Sequence, residues 1–195
     1  METQTNQQTV NNQIAQKLIL FFAMIAIITA CNKDNAAPSS GNNPPPQEEG
    51  SADVTLTAGG SEFKVTGPCG WASAGGTNYI GSNHATNNLR TFSAYFNIEN
   101  PPTQTTTYIL VDDGLDTDPT HITMGISEIS GNTLTEWHST DASGTLTLTV
   151  VGNTITADLS GIVLSPQTNS GFFTNGNVGA FANAGTLSGT LVFYI

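Results

Sequence analysis

The chain has 195 residues, of which 4 are Lys or Arg and 15 are Asp or Glu, a formal net charge of −11. That balance excludes a phosphate-backbone partner, which needs clustered Lys and Arg, and excludes electrostatic docking on an anionic bilayer. Only 10% of residues are charged and only 2 are Cys, so neither a charged surface nor a disulfide framework organises the fold.

The first feature in chain order is an apolar run, Leu18 to Ala30, preceded by Lys17. A permanent membrane span needs ~20 apolar residues, and this run is shorter. It matches the apolar core of a secretory signal peptide. The run ends in Ile28-Thr29-Ala30-Cys31. This tetrad resembles the lipobox of bacterial lipoproteins, and the resemblance implies that Cys31 is acylated and becomes the mature N-terminus. Residues 1–30 are therefore expected to be a signal peptide. Several acyl chains, at ~0.8 kcal/mol per buried methylene, would hold the protein stably on a membrane.

Residues 31–51 read as a tether. Between Asn32 and Gly50 no apolar side chain exceeds Ala or Pro, so nothing there offsets the entropy of ordering the chain. Pro44, Pro45 and Pro46 favour an extended spacer. Asn32 follows the cysteine, not the Asp that resembles an inner-membrane retention signal, so the outer membrane is the expected location. Asn32-Lys33-Asp34-Asn35 resembles the surface-export signal of Bacteroidota lipoproteins and reads equally well as polar tether.

From residue 52 to 195 the pattern has period two. Val54 and Leu56 alternate with threonines, Gly59-Gly60 follows, and Phe63 and Val65 resume the alternation. A two-residue Gly-Gly turn pairs Leu56 with Phe63 and Val54 with Val65. A turn at Gly131-Asn132 pairs Ile126 with Trp137, Ile129 with Leu134 and Gly125 with His138. A turn at Gly152-Asn153 pairs Val150 with Ile155, Leu148 with Ala157 and Leu146 with Leu159. Single strands are expected at 91–98, 105–111 and 186–195. No helical stripe is present. The expected fold is all-β, an antiparallel β-sandwich or flattened barrel of about 8–10 short strands. The lipobox, the polar tether and a Thr/Gly/Asn-rich strand region ending in Gly185 to Phe193 are together similar to small surface lipoproteins of Bacteroidota. That resemblance implies location and fold and carries no active site.

Candidate chemistry is sparse. Asp112, Asp113, Asp116 and Asp118 place four carboxylates in seven residues beside Pro119. The order is not that of an EF-hand, and Asp and Gly are common in solvated turns, so no calcium or other metal is expected. His121 and His138 lie four residues apart along the register, ~13 Å, too far to share a metal. His84 falls in a loop with no evident partner. Glu128 and Glu136 fall on opposite faces of their hairpin and cannot flank one glycosidic bond. Cys69 lacks a nearby base and is expected to be buried and inert.

Gly67 to Arg90 is 24 residues dominated by Gly, Asn, Ser and Ala. Read as a loop, it suits ligand binding. Trp71 and Tyr79, with Tyr95, are then the candidate ligand-binding residues, an aromatic platform for a sugar ring. The competing reading makes Tyr79-Ile80 a short strand and Trp71 a plug at one end of the core. No cofactor is implied and no catalytic residues stand out. The expectation is a non-enzymatic lipoprotein held on the membrane through Cys31, with glycan as the leading ligand class. An assembly partner within the envelope is the alternative.

Overall fold

The computed structural model describes residues 49–74, 76–112, 116–167, 174–175 and 179–195. The strands are β1 (Gly50–Ala58), β2 (Ser61–Ala74), β3 (Thr77–His84), β4 (Asn87–Phe96), β5 (Thr106–Leu110), β6 (His121–Ser130), β7 (Thr133–His138), β8 (Thr145–Val151), β9 (Thr154–Asp158), β10 (Val163–Pro166), β11 (Thr174–Asn175) and β12 (Gly185–Tyr194). One 3-10 turn, Gly179–Ala182, precedes β12.

The three turns expected from the alternation form in the expected register. Leu56 faces Phe63, Val54 faces Val65, Ile126 faces Trp137, Ile129 faces Leu134, Val150 faces Ile155 and Leu148 faces Ala157. Gly59, Gly60, Gly131 and Gly152 all have positive φ, the backbone state such short turns require. The one pairing not carried through is Leu146 with Leu159. The chain leaves β9 at Asp158, and the Leu159 amide donates instead to the Gly189 carbonyl.

The global arrangement differs from two stacked antiparallel sheets. All twelve strands belong to one sheet, in the order β1-β2-β3-β4-β6-β5-β8-β9-β12, and β12 returns to β1 to close a nine-stranded barrel. The barrel is mixed, because β5 runs parallel to β6 through Ile109↔His121 and Leu110↔Ile122. Alternation specifies one buried and one wet face. It suits a sandwich and a closed wall equally, and closure removes the sheet edges that a sandwich leaves open.

Two strands carry a second set of partners. The first residues of β6 pair with β5, and Gly125–Ser130 pair with β7. The last residues of β12 pair with β9, and Gly185 and Thr186 pair with β10. Because β7 and β10 also pair with each other, β6 and β12 are bridged twice. The seam between the bridges is polar. Ser139, fully buried, donates its hydroxyl to the Val111 carbonyl at 2.8 Å and accepts from the Met124 amide at 2.9 Å. Ser143 donates to the Val163 carbonyl, and the Leu110 amide donates to the Gly144 carbonyl at 2.9 Å. These bonds satisfy backbone groups at the point where the ladder splits.

The inner face forms one apolar cluster, with Trp137, Phe92 and Phe193 its largest fully buried members. Side chains fill this wall from within, as in other small barrels. At the end carrying the Gly59-Gly60 and Gly131-Asn132 turns, Phe63 and Phe181 pack edge-on against Trp137, with ring centroids 5.3 and 5.6 Å away. Arg90 lies over the Phe63 ring at 4.2 Å and binds Glu128 through Nε at 2.6 Å.

Candidate functional site

The interval from Gly67 to Arg90 is strand, not loop. It is occupied by the second half of β2, all of β3 and the start of β4. Its small residues do structural work that composition disguises. A Cβ on Gly67 would sit 2.0 Å from the Asn83 carbonyl oxygen, so the β2–β3 approach admits only glycine there. His84, expected to be unpartnered in a loop, ends β3 and accepts the Thr66 amide at Nδ1, 3.1 Å away.

Directly paired residues share a face, which separates the three expected ligand-binding residues. Trp71 faces Ile80, which faces Ala94, and both of these are fully buried in the core. Trp71 therefore points into the barrel, where it packs on Phe96 with ring centroids 5.0 Å apart. Tyr79 faces Tyr95 on the outer wall, with centroids 5.8 Å apart. A platform of all three rings is ruled out by the thickness of the sheet. Trp71 plugs the core, as the competing reading of this interval had it.

Tyr79 is only 4% exposed, yet it is absent from the inner cluster. Its ring lies along its own strand, 3.1 Å from where a Gly81 Cβ would stand. On the same outer wall Gly81 faces Ser93, Ser93 faces Gly125, and Gly125 faces His138. The His138 ring covers Gly125 as Tyr79 covers Gly81, approaching to 2.9 Å of the missing Cβ. Rings thus lie over a floor of Gly and Ser, an arrangement that restores packing where a strand lacks side chains.

Around that floor the polar groups converge. His138 Nε2 and Glu136 Oε1 are 2.6 Å apart. The Thr91 and Ser127 hydroxyls are bonded at 3.0 Å. Burial pushes the Tyr95 phenol up to about 12, the Ser93 hydroxyl bonded to it offsets part of that, and Tyr79 and Glu136 add to it. Tyr95 is thus a neutral phenol within electrostatic reach of the Glu136 carboxylate. The assembly offers a half-buried ring and a carboxylate–imidazole pair, while the Thr91, Ser93 and Ser127 hydroxyls beneath them are buried and bonded within the wall. It suits hydrogen bonding to a neutral polar ligand, and the Ser127 hydroxyl is bonded to Thr91 while Glu136 holds the imidazole at Nε2.

Glu136 and His138 were placed on the wet face of their hairpin by sequence, but not beside Tyr95. The β4–β6 pairing that joins them crosses more than thirty residues, Arg90 to Glu128, with no local turn to fix its register. The inferred opposition of the two glutamates holds: Glu128 faces inward to Arg90 and Glu136 outward to His138.

The acidic segment uses its carboxylates locally. Asp116 Oδ1 accepts the Asp118 amide at 2.7 Å, and its Oδ2 lies 2.6 Å from His121 Nδ1. Asp118 accepts both the amide and the hydroxyl of Thr120. The hydrogen bond to His121 holds the Asp116 carboxyl below its ordinary value and raises the His121 imidazole. Asp113 and Cys31 lie outside the described residues. Among the described residues no three His, Cys, Asp or Glu side chains are grouped to hold a metal ion. Cys69 is buried, and desolvation pushes its thiol up to about 12, so it is protonated and unreactive at neutral pH. The chain matches no family model, no curated protein and no solved structure.

Proposed function

We propose that the protein is an outer-membrane lipoprotein, anchored through Cys31, whose barrel is a non-catalytic binding module for glycan. The observation that carries the binding reading is the outer-wall group of Tyr95, Glu136 and His138 over its Gly/Ser floor. A half-buried aromatic ring beside a carboxylate and an imidazole suits a sugar, which presents an apolar face and a rim of hydroxyls. The interior supports the choice of an external site, because its core positions are filled by large apolar side chains. Trp71 has no part in the site. An assembly role in the envelope is favoured instead by Ile109 and Val163, aliphatic side chains 47% and 40% exposed on the outer wall.

Two measurements test this reading. Cys31→Ser should shift the chain from the detergent phase to the aqueous phase on phase partitioning. A Cys31→Ser chain that is cut after its signal and still partitions with detergent refutes the anchor. The full chain in detergent should retain particular oligosaccharides on a glycan array, and Tyr95→Ala and Glu136→Gln should each weaken retention about tenfold, ~1.4 kcal/mol. Retention that survives both substitutions removes the site from the proposal, and no retention of any glycan favours the assembly role.

A further inference from the structure

The chain enters the barrel at Gly50, which faces Cys69 and abuts Val192 and Phe193 of β12. The same end carries the exit of β12, where the Ile195 amide donates to the Asn153 carbonyl at 3.0 Å, and the Gly152-Asn153 turn. Inner side chains here are Ile155, Phe193, Ala52 and Cys69. Their alternates form two outward rows across the strands. One is Val151, Thr154 and Tyr194, and the other is Thr149, Thr156, Val192, Ser51 and Pro68.

Neither row contains a charge. The next row along the strands holds Asp158 and Asp53, and those beyond it hold Lys64 and then Glu62. In a chain of net charge −11, these two rows are thus charge-free and partly aliphatic, and the exposed Glu49 stands one residue before Gly50 where the N-terminal segment leaves. Val151 there is 73% exposed and Ile195 42% exposed.

We propose that this end of the barrel rests on the lipid bilayer, with Val151, Val192, Tyr194 and Ile195 as its contact; the proposal rests on the reading of Cys31 as a lipid anchor. The occupant follows from where the chain leaves. Residues 32–49 join Cys31 to Gly50 and reach at most ~60 Å when fully extended. The bilayer is therefore the surface this end meets continuously, at an effective concentration in the mM range for a short linker. A few aliphatic side chains fall well short of the ~800 Å² per partner of a stable protein interface, whereas a tethered contact needs no such area. Anionic headgroups would repel acidic side chains; those within the paired strands begin one row further away, at Asp53 and Asp158, and the exposed Glu49 beside Gly50 has to stay in the aqueous headgroup layer. Tyr suits the headgroup level because its ring is apolar and its hydroxyl polar.

The test exploits the inert Cys69. With Cys31 acylated and Cys69 buried, a cysteine introduced by Val151→Cys is the reactive thiol of the mature chain, and Thr57→Cys supplies the same label on exposed β1 at the far end. Each full-length lipidated variant is labelled with an environment-sensitive fluorophore and reconstituted into vesicles carrying a headgroup-level quencher lipid. Severalfold stronger quenching at position 151 than at 57 is the expected result. Equal quenching at the two positions in a vesicle-bound chain overturns this proposal and leaves the anchor standing. A chain recovered free of the vesicles overturns both.

Discussion

The two bridges between β6 and β12 are built on different physics. The β5–β8–β9 bridge is a run of ladder pairs with its apolar side chains evenly spread: Tyr108, Leu110, Leu146, Leu148, Ile155 and Ala157 are all buried. The β7–β10 bridge has only two residue pairs between its strands, and one is Pro166 opposite Trp137, where proline has no amide to give. That side holds through one large side chain. Trp137 is fully buried, carries Phe63 and Phe181 against its edges and donates its indole N–H to the Asn183 carbonyl at 3.3 Å. A sheet wall can thus be closed by many modest contacts or by one aromatic anchor, and the two should fail differently.

The largest expected effect is at that anchor. Trp137→Ala should cost ~3–5 kcal/mol in urea unfolding, and amide exchange should show β7 and β10 opening ahead of β8 and β9. A cost below ~1 kcal/mol would mean that β10 and β7 hold without the indole.

The seam between the bridges comes next. Ser139→Ala strands the Val111 carbonyl and the Met124 amide in a buried setting, which should cost roughly 1–3 kcal/mol. If thermal melts of Ser139→Ala and the parent coincide, the bridges do not depend on the seam.

A smaller effect is expected at the turn of the regular bridge. Gly152 has φ of 60° with open space around its missing Cβ, so Gly152→Ala meets only backbone strain, about 1 kcal/mol. A larger loss would show that this hairpin, not Trp137, limits the barrel.

The smallest effect concerns His121 and Asp116, where β6 begins. Pairing raises the imidazole above its ordinary 6.5, so its contribution is complete below that value and is lost as pH rises through the raised one. Pairing lowers the carboxyl below its ordinary 3.8, so its contribution is complete above 3.8 and is lost as pH falls through the lowered value. Both are present between about 3.8 and 6.5. The melting temperature across that window should exceed its values on either side, and Asp116→Asn should flatten the profile. An unchanged profile in Asp116→Asn would mean that other groups set the pH dependence.

The three tight hairpins were legible in the residues themselves. Each hairpin is local: a Gly-containing turn of two residues sets the register, and a slip of one residue would turn Val54, Ile126 or Leu148 out to water. The inward position of Trp137 and the opposition of Glu128 and Glu136 followed from that alone. Closure, the parallel β5–β6 pair, the doubled bridge and the neighbourhood of Tyr95 did not follow. They depend on pairings between strands distant in sequence, where no turn selects a register and where period two marks an inner face without saying what the wall joins. Gly67 to Arg90 was the hardest stretch for the same reason. Its glycines and serines lack the alternation that marks a strand, because there the neighbouring backbone and overlying rings, supplied by the tertiary structure, occupy the space that larger side chains would fill.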